Sequence, residues 1–97
     1  MYIIKVGGGS KINLEAVVAD LATLEESFIV VLGANAARDN LATLTGHQKI
    51  EFTSVSGYSS VYSDADAIDL IMMAYSGLRN KRFVELCQQN SINAIGL

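Results

Sequence analysis

Two five-residue apolar runs, Tyr2–Val6 (YIIKV) and Phe28–Leu32 (FIVVL), each stop at a glycine and each give way to a helical pattern. This repetition constrains the fold more than any other feature of the chain. Runs that are apolar at nearly every position read as strands covered on both faces, the habit of parallel strands flanked by helices. Parallel neighbours cannot be joined by a tight hairpin, so the residues between them must form a crossover. Asn13 is placed to cap that crossover helix. Leu14, Val17, Val18, Leu21 and Leu24 follow it at helical spacing.

The remaining residues continue the alternation. Residues 36–44 predict a weaker helix closed by Gly46, and residues 49–55 (KIEFTSV) alternate as a strand with one wet face. Residues 56–63 (SGYSSVYS) read as a polar loop around Gly57, either a substrate lid or a hairpin connection. Ser63 or Asp64 caps a long helical stretch through Gln89, with Ile68, Ile71, Met72, Tyr75, Leu78, Leu86 and Cys87 near one stripe. Gly77 is expected to kink or interrupt it, at about 1 kcal/mol relative to alanine. Residues 92–97 (INAIGL) read as a last buried strand. The β-α-β-α-β-α-β order predicts one α/β domain over residues 1–97, a three-layer αβα sandwich with a mostly parallel sheet. Ligands of such sheets bind beyond the carboxyl ends of the strands, where both glycine loops fall.

The candidate chemistry sits at the first of those loops. Lys5 interrupts an apolar strand and reads as an inward ammonium that needs a partner. Gly7, Gly8 and Gly9 follow, and amides in such a turn suit an anionic phosphate. The stretch is neither GxxxxGK[ST] nor GxGxxG, and a plain tight strand-to-helix turn is the competing reading. Elsewhere, His47 reads as a lone surface-loop histidine and Cys87 as a small core residue. Asp64, Asp66 and Asp69 gather at a helix start, where they favour the macrodipole. Arg79, Lys81 and Arg82 read as a solvated basic face.

Charge and size narrow the classes further. Ninety-seven residues make one small domain. A formal charge of −3 and a pI near 4.9 argue against nucleic-acid binding, which shows a basic face. The apolar runs are too short to span a bilayer. One cysteine cannot form an internal disulfide, which fits a reducing cytoplasm.

Taken together, Lys5-Val-Gly-Gly, the Val31-Leu-Gly loop, Gly77-Leu-Arg-Asn-Lys-Arg-Phe-Val-Glu-Leu and Asn93-Ala-Ile-Gly-Leu resemble the amino acid kinase family, in order and along the whole chain. The likeness is to acetylglutamate kinases and to kinases of carrier-protein-linked aminoadipate or glutamate. It implies transfer of the ATP γ-phosphoryl to a side-chain carboxylate in arginine or lysine biosynthesis, with ATP and Mg2+ required. By that resemblance Lys5 is the catalytic lysine that stabilises the transferring phosphoryl group. Gly7, Gly8 and Gly9 would bind phosphate; Gly33, Ala34, Asn35 and Val61 would line the acyl-substrate site. No metal ligand is assigned. The implied partners are an N-blocked amino acid or an amino-group carrier protein, and a second copy of the chain through residues 64–89. Neither nucleic acid nor a membrane is expected as a partner.

The chain also departs from the family pattern. Leu32-Gly33-Ala34 stands where the family has His-Gly-Gly, and Val61 where an arginine grips the substrate's α-carboxylate. Valine cannot make that bidentate pair. Arg38 and Arg79 are the alternative cations, and nothing in the spacing supports either. The family's ATP-binding half is expected to lie outside these residues. The alternative reading is therefore a non-catalytic relative that serves as an anion-binding, oligomerisation or interaction domain.

Overall fold

The computed structural model describes residues 1–47, 51–57, 59–61 and 64–97. Its first unit is β1 (Tyr2–Val6), α1 (Leu14–Leu21) and β2 (Phe28–Leu32), with β1 and β2 paired in parallel and α1 as the crossover. Asn13 caps α1, its side chain accepting from the Ala16 amide at 3.1 Å. Leu14, Val18 and Leu21 are buried at i, i+4 and i+7, the spacing of one helix face. Each such burial stabilises the fold by about 1.5–3 kcal/mol.

Next come α2 (Asn35–Thr45), β3 (Glu51–Thr53) and β4 (Ser59–Val61). Gly46 ends α2 in the left-handed region at φ 72°, as expected of a helix-closing glycine. Then follow α3 (Ala65–Met72), a π-helical segment (Met73–Arg79) and α4 (Asn80–Gln89). Asp64 caps α3, accepting from the Ala67 amide at 2.8 Å.

The fold is α/β, with a parallel two-stranded sheet and helices. The core lies between one face of the β1–β2 sheet and helices α1 and α4, with Val6, Val18, Leu21, Phe83 and Cys87 at its centre. Val18 and Cys87 are fully enclosed. A second contact joins α2 to α3 and the π segment. The buried residues of these three elements are Ala42, Ala67, Leu70 and Ala74.

Several expectations are corrected. β1 is covered on one face by the described residues: Ile4 and Val6 turn toward the helices, while Ile3 and Lys5 are exposed. Among the described residues Lys5 therefore has an outward, exposed ammonium rather than the expected inward one. A strand of period two that carries lysine beside isoleucine puts both on the solvated face. The third and fourth strands form an antiparallel hairpin, Glu51 opposite Val61, rather than extending a parallel sheet. Of the strand expected over 49–55, residues 51–53 are strand, and Lys49 and Ile50 lie outside the described residues. Ser63, the other candidate cap, lies outside them too.

Residues 92–97 are not a strand. Two of their carbonyls accept from side chains instead: Asn80 Nδ2 donates to Leu97 O at 2.9 Å and Gln88 Nε2 to Ala94 O at 3.2 Å. Ile95 and Leu97 are exposed. Gly77 falls where the α-helical stretch is interrupted, as expected. It lies inside the π segment, whose wider turns change the direction in which later residues face.

Candidate phosphate-binding site

The register of β1 against β2 decides where the two glycine loops go. Val6 pairs with Leu32, so both strands end at the same level and Gly7 and Gly33 leave the sheet side by side. The Gly33 amide donates to Val6 O at 2.8 Å, which holds the second loop against the first.

Their approach is closer than any side chain would permit. A Cβ on Gly8 would overlap the Ala34 nitrogen and the Gly33 carbonyl carbon, and one on Gly33 would lie 2.7 Å from the Gly8 nitrogen. Glycine is therefore required at both positions for steric reasons. Gly9 differs, since nothing lies within 4 Å of the Cβ it lacks.

The carbonyls of this corner are all engaged by donors. Gly8 O accepts from the Ala36 amide at 2.9 Å and Gly9 O from the Ile12 amide at 3.2 Å. Gly8 O thereby serves the start of α2, whose N-cap, Ala34, has no side chain to do so. Arg79 takes the other two: its Nε donates to Gly33 O at 3.2 Å and its Nη2 to Gly7 O at 3.3 Å. Among the described residues, the amides of Gly8, Gly9 and Ala34 donate to no acceptor. Ala34 has no exposed surface, so the Gly8 and Gly9 amides, with the N-terminus of α2 behind them, are the spare donors placed for an anion.

The expected site residues are distributed unevenly. Gly7, Gly8, Gly9, Gly33, Ala34 and Asn35 come together, with Ala34 completely buried, its methyl included. Lys5 lies one strand position before Val6 on the exposed sheet face. The backbone of Val61 is in β4, in the separate hairpin. Arg79 was expected on a solvated basic face, and its bonds to both glycine loops correct that. Lys81 and Arg82 remain exposed, and Arg82 pairs with Glu85 at 3.3 Å. Arg38 is paired with Asp39 at 3.1 Å. His47 is half-buried rather than on an open loop, its Nε2 3.8 Å from Asp64 Oδ1.

A cavity of about 660 Å³ runs along β2 between Tyr75, Phe83 and residues 92–97, and none of the glycine-loop residues lines it. Burial pushes the Cys87 thiol above its ordinary pKa. Among the described residues no helix is long and apolar enough to cross a membrane.

Comparison with known proteins agrees with the resemblance seen in the residues: over its whole length the chain is homologous to amino acid kinases. No protein-family model matches it. Individual relatives are named for two acyl substrates. The chain is 39% identical to the [LysW]-aminoadipate kinase of Thermus thermophilus over 100 residues, covering all of this chain and 37% of that protein. For the [LysW]-aminoadipate kinase of Deinococcus radiodurans the identity is 38%, with 34% of that protein covered. The acetylglutamate kinase of Cytophaga hutchinsonii is 38% identical, with 36% of it covered. The chain thus spans about a third of the length of these relatives.

Proposed function

We propose that these residues form the acyl-substrate part of an acetylglutamate kinase-like phosphotransferase, which moves the ATP γ-phosphoryl to the side-chain carboxylate of an N-blocked glutamate or aminoadipate. The observation that carries this reading is the interlocked pair of glycine loops, with every carbonyl of Gly7, Gly8, Gly9 and Gly33 engaged and the amides of Gly8 and Gly9 free among the described residues. Phosphoryl transfer is catalysed mainly by positioning and by donors aimed at developing charge, so such a corner is suited to its γ-phosphoryl end.

In this reading Gly7, Gly8 and Gly9 take the phosphate, and Gly33, Ala34, Asn35 and Val61 belong to the acyl side. Lys5 supplies the catalytic cation, its ammonium exposed among the described residues near the end of β1. ATP arrives as its Mg2+ complex. Its nucleotide-binding part is assigned to the length of the relatives that these residues do not match. The same comparison supports completion of the sheet as a three-layer αβα sandwich, whose third layer would cover exposed Ile3, Ile29 and Val31. A carrier protein is the partner the [LysW] relatives suggest, and the cytoplasm is the compartment that suits biosynthesis. Exposed Met72 and Met73, in residues 64–89, are assigned to contact with a second copy.

Calorimetry with ATP–Mg2+, N-acetylglutamate and N-acetylaminoadipate, followed by a phosphoryl-transfer assay with Lys5→Ala as control, tests the proposal. Saturable binding of an acyl ligand, weakened or made unproductive by Lys5→Ala, is the expected result. Absence of binding by all three would favour the non-catalytic interaction domain.

A further inference from the structure

The two bonds from Arg79 join residues far apart in sequence, 46 positions from Gly33 and 72 from Gly7. One guanidinium therefore bridges both glycine loops. The fork geometry of arginine allows this, because Nε and Nη2 present parallel donors that a lysine ammonium cannot reproduce. Bonds from a charged donor are also the stronger kind.

A trans peptide is planar, so the C=O of one residue and the N–H of the next point in opposite directions. No cis peptide occurs among the described residues. When Arg79 holds the carbonyls of Gly7 and Gly33, the amides of Gly8 and Ala34 are consequently turned away from it. Those amides are among the ones that lack an acceptor in the described residues. The guanidinium also polarises both peptides, which makes their N–H ends better donors.

The placement of Arg79 depends on the π segment it ends. There the Asn80 amide reaches back five residues to Tyr75 O. An α-helical turn in its place would swing later side chains by roughly 100° per residue of altered register. Among the described residues Arg79 has no carboxylate within ion-pairing distance, so its charge is directed to the loops alone.

We propose that Arg79 is a positioning residue: it braces the two glycine loops from behind and fixes the orientation of the Gly8 and Ala34 peptides, without itself touching the anion. The consequence for catalysis rests on the phosphotransferase reading above; the brace does not.

The test uses the whole 97-residue chain, its Arg79→Met and Arg79→Lys variants, and amide hydrogen exchange read by NMR. Loss of the brace in Arg79→Met is expected to speed exchange at Gly33 and Ala36, whose amides donate to Val6 O and Gly8 O at the two loops, by about tenfold, the equivalent of one charged hydrogen bond, with β1 and α1 unchanged. Arg79→Lys, able to reach one carbonyl only, should fall between. Inorganic phosphate is the binding probe and should weaken by a similar factor in Arg79→Met. Unchanged exchange at the loops would overturn the brace. So would phosphate affinity fully retained by Arg79→Lys and lost in Arg79→Met, which would make Arg79 a direct anion ligand. If the wild-type chain binds neither phosphate nor ATP–Mg2+ while loop exchange responds as expected, the phosphotransferase reading fails and the brace stands. Should Arg79→Met not fold, the wild-type Arg79 Nε–H decides: slow exchange supports the brace, and exchange at the rate of free arginine overturns it.

Discussion

Gly8 lies against Ala34 so closely that a single methyl on Gly8 would overlap the Ala34 backbone nitrogen. Gly8→Ala must therefore push two backbone segments apart, one of which opens α2. Overpacking of this kind costs about 1–3 kcal/mol, sometimes more. Gly9→Ala meets open space and has no positive φ to strain, so it should change stability by less than about 0.5 kcal/mol. Urea midpoints of the two variants should differ clearly. Equal midpoints would show that the loops are not packed as described.

Helix boundaries give a second comparison. Asp64 accepts the Ala67 amide at 2.8 Å, so Asp64→Ala should destabilise the chain by about 1 kcal/mol. Asp64→Asn keeps an oxygen in place and should cost much less, although it removes the charge that faces His47 at 3.8 Å. Thermal unfolding of both variants at low and high salt checks this. A loss in Asp64→Asn equal to that in Asp64→Ala would transfer the effect from the cap to the contact with His47.

Two other glycines should respond with opposite signs. Gly46 adopts φ 72° at the end of α2, where alanine is disfavoured by roughly 1–2 kcal/mol. Gly77 is helical, and nothing lies within 4 Å of an added Cβ. There Gly77→Ala should stabilise the chain by about 0.5–1 kcal/mol through helix propensity. Denaturant unfolding of the pair reads both signs in one series.

Cys87 links burial to pH. Its thiol is fully enclosed, and desolvation raises its pKa in the folded chain. Above about pH 8.5 an exposed thiol ionises, so the unfolded state gives up that proton first. Protons bound by the unfolded state are then fewer than those bound by the native state, and stability falls as pH rises. Urea unfolding between pH 7 and 10 should show this decline in the wild type and a weaker one in Cys87→Ala, after allowing for that variant's lower starting stability. Alkylation of Cys87 should require unfolding, and prompt labelling of the native chain would contradict its placement.

Much of the local structure was legible in residue order. Tyr2–Val6, Phe28–Leu32, the Asn13 and Asp64 caps and the Gly46 terminus all announce themselves through short-range rules. What failed depended on which surface each element meets. YIIKV has the same composition whether one face or both are covered, so the direction of Lys5 could not be read from it. INAIGL has strand-forming residues, but Asn80 and Gln88 hold two of its carbonyls from a neighbouring helix. Nor does any local pattern mark a π segment. Without it Arg79 cannot be placed at the glycine loops, and the basic run around it looks merely solvated.

The exposed position of Lys5 has a consequence for solubility. It shares its sheet face with Ile3, which is 76% exposed, and with exposed Ile29 and Val31 on β2. Where that face is not covered by the third layer proposed above, Lys5 is the charge on its apolar strip and disfavours association of one exposed face with another. Replacing it therefore alters colloidal behaviour as well as chemistry. Activity lost in Lys5→Ala has to be read beside the light scattering of the same sample.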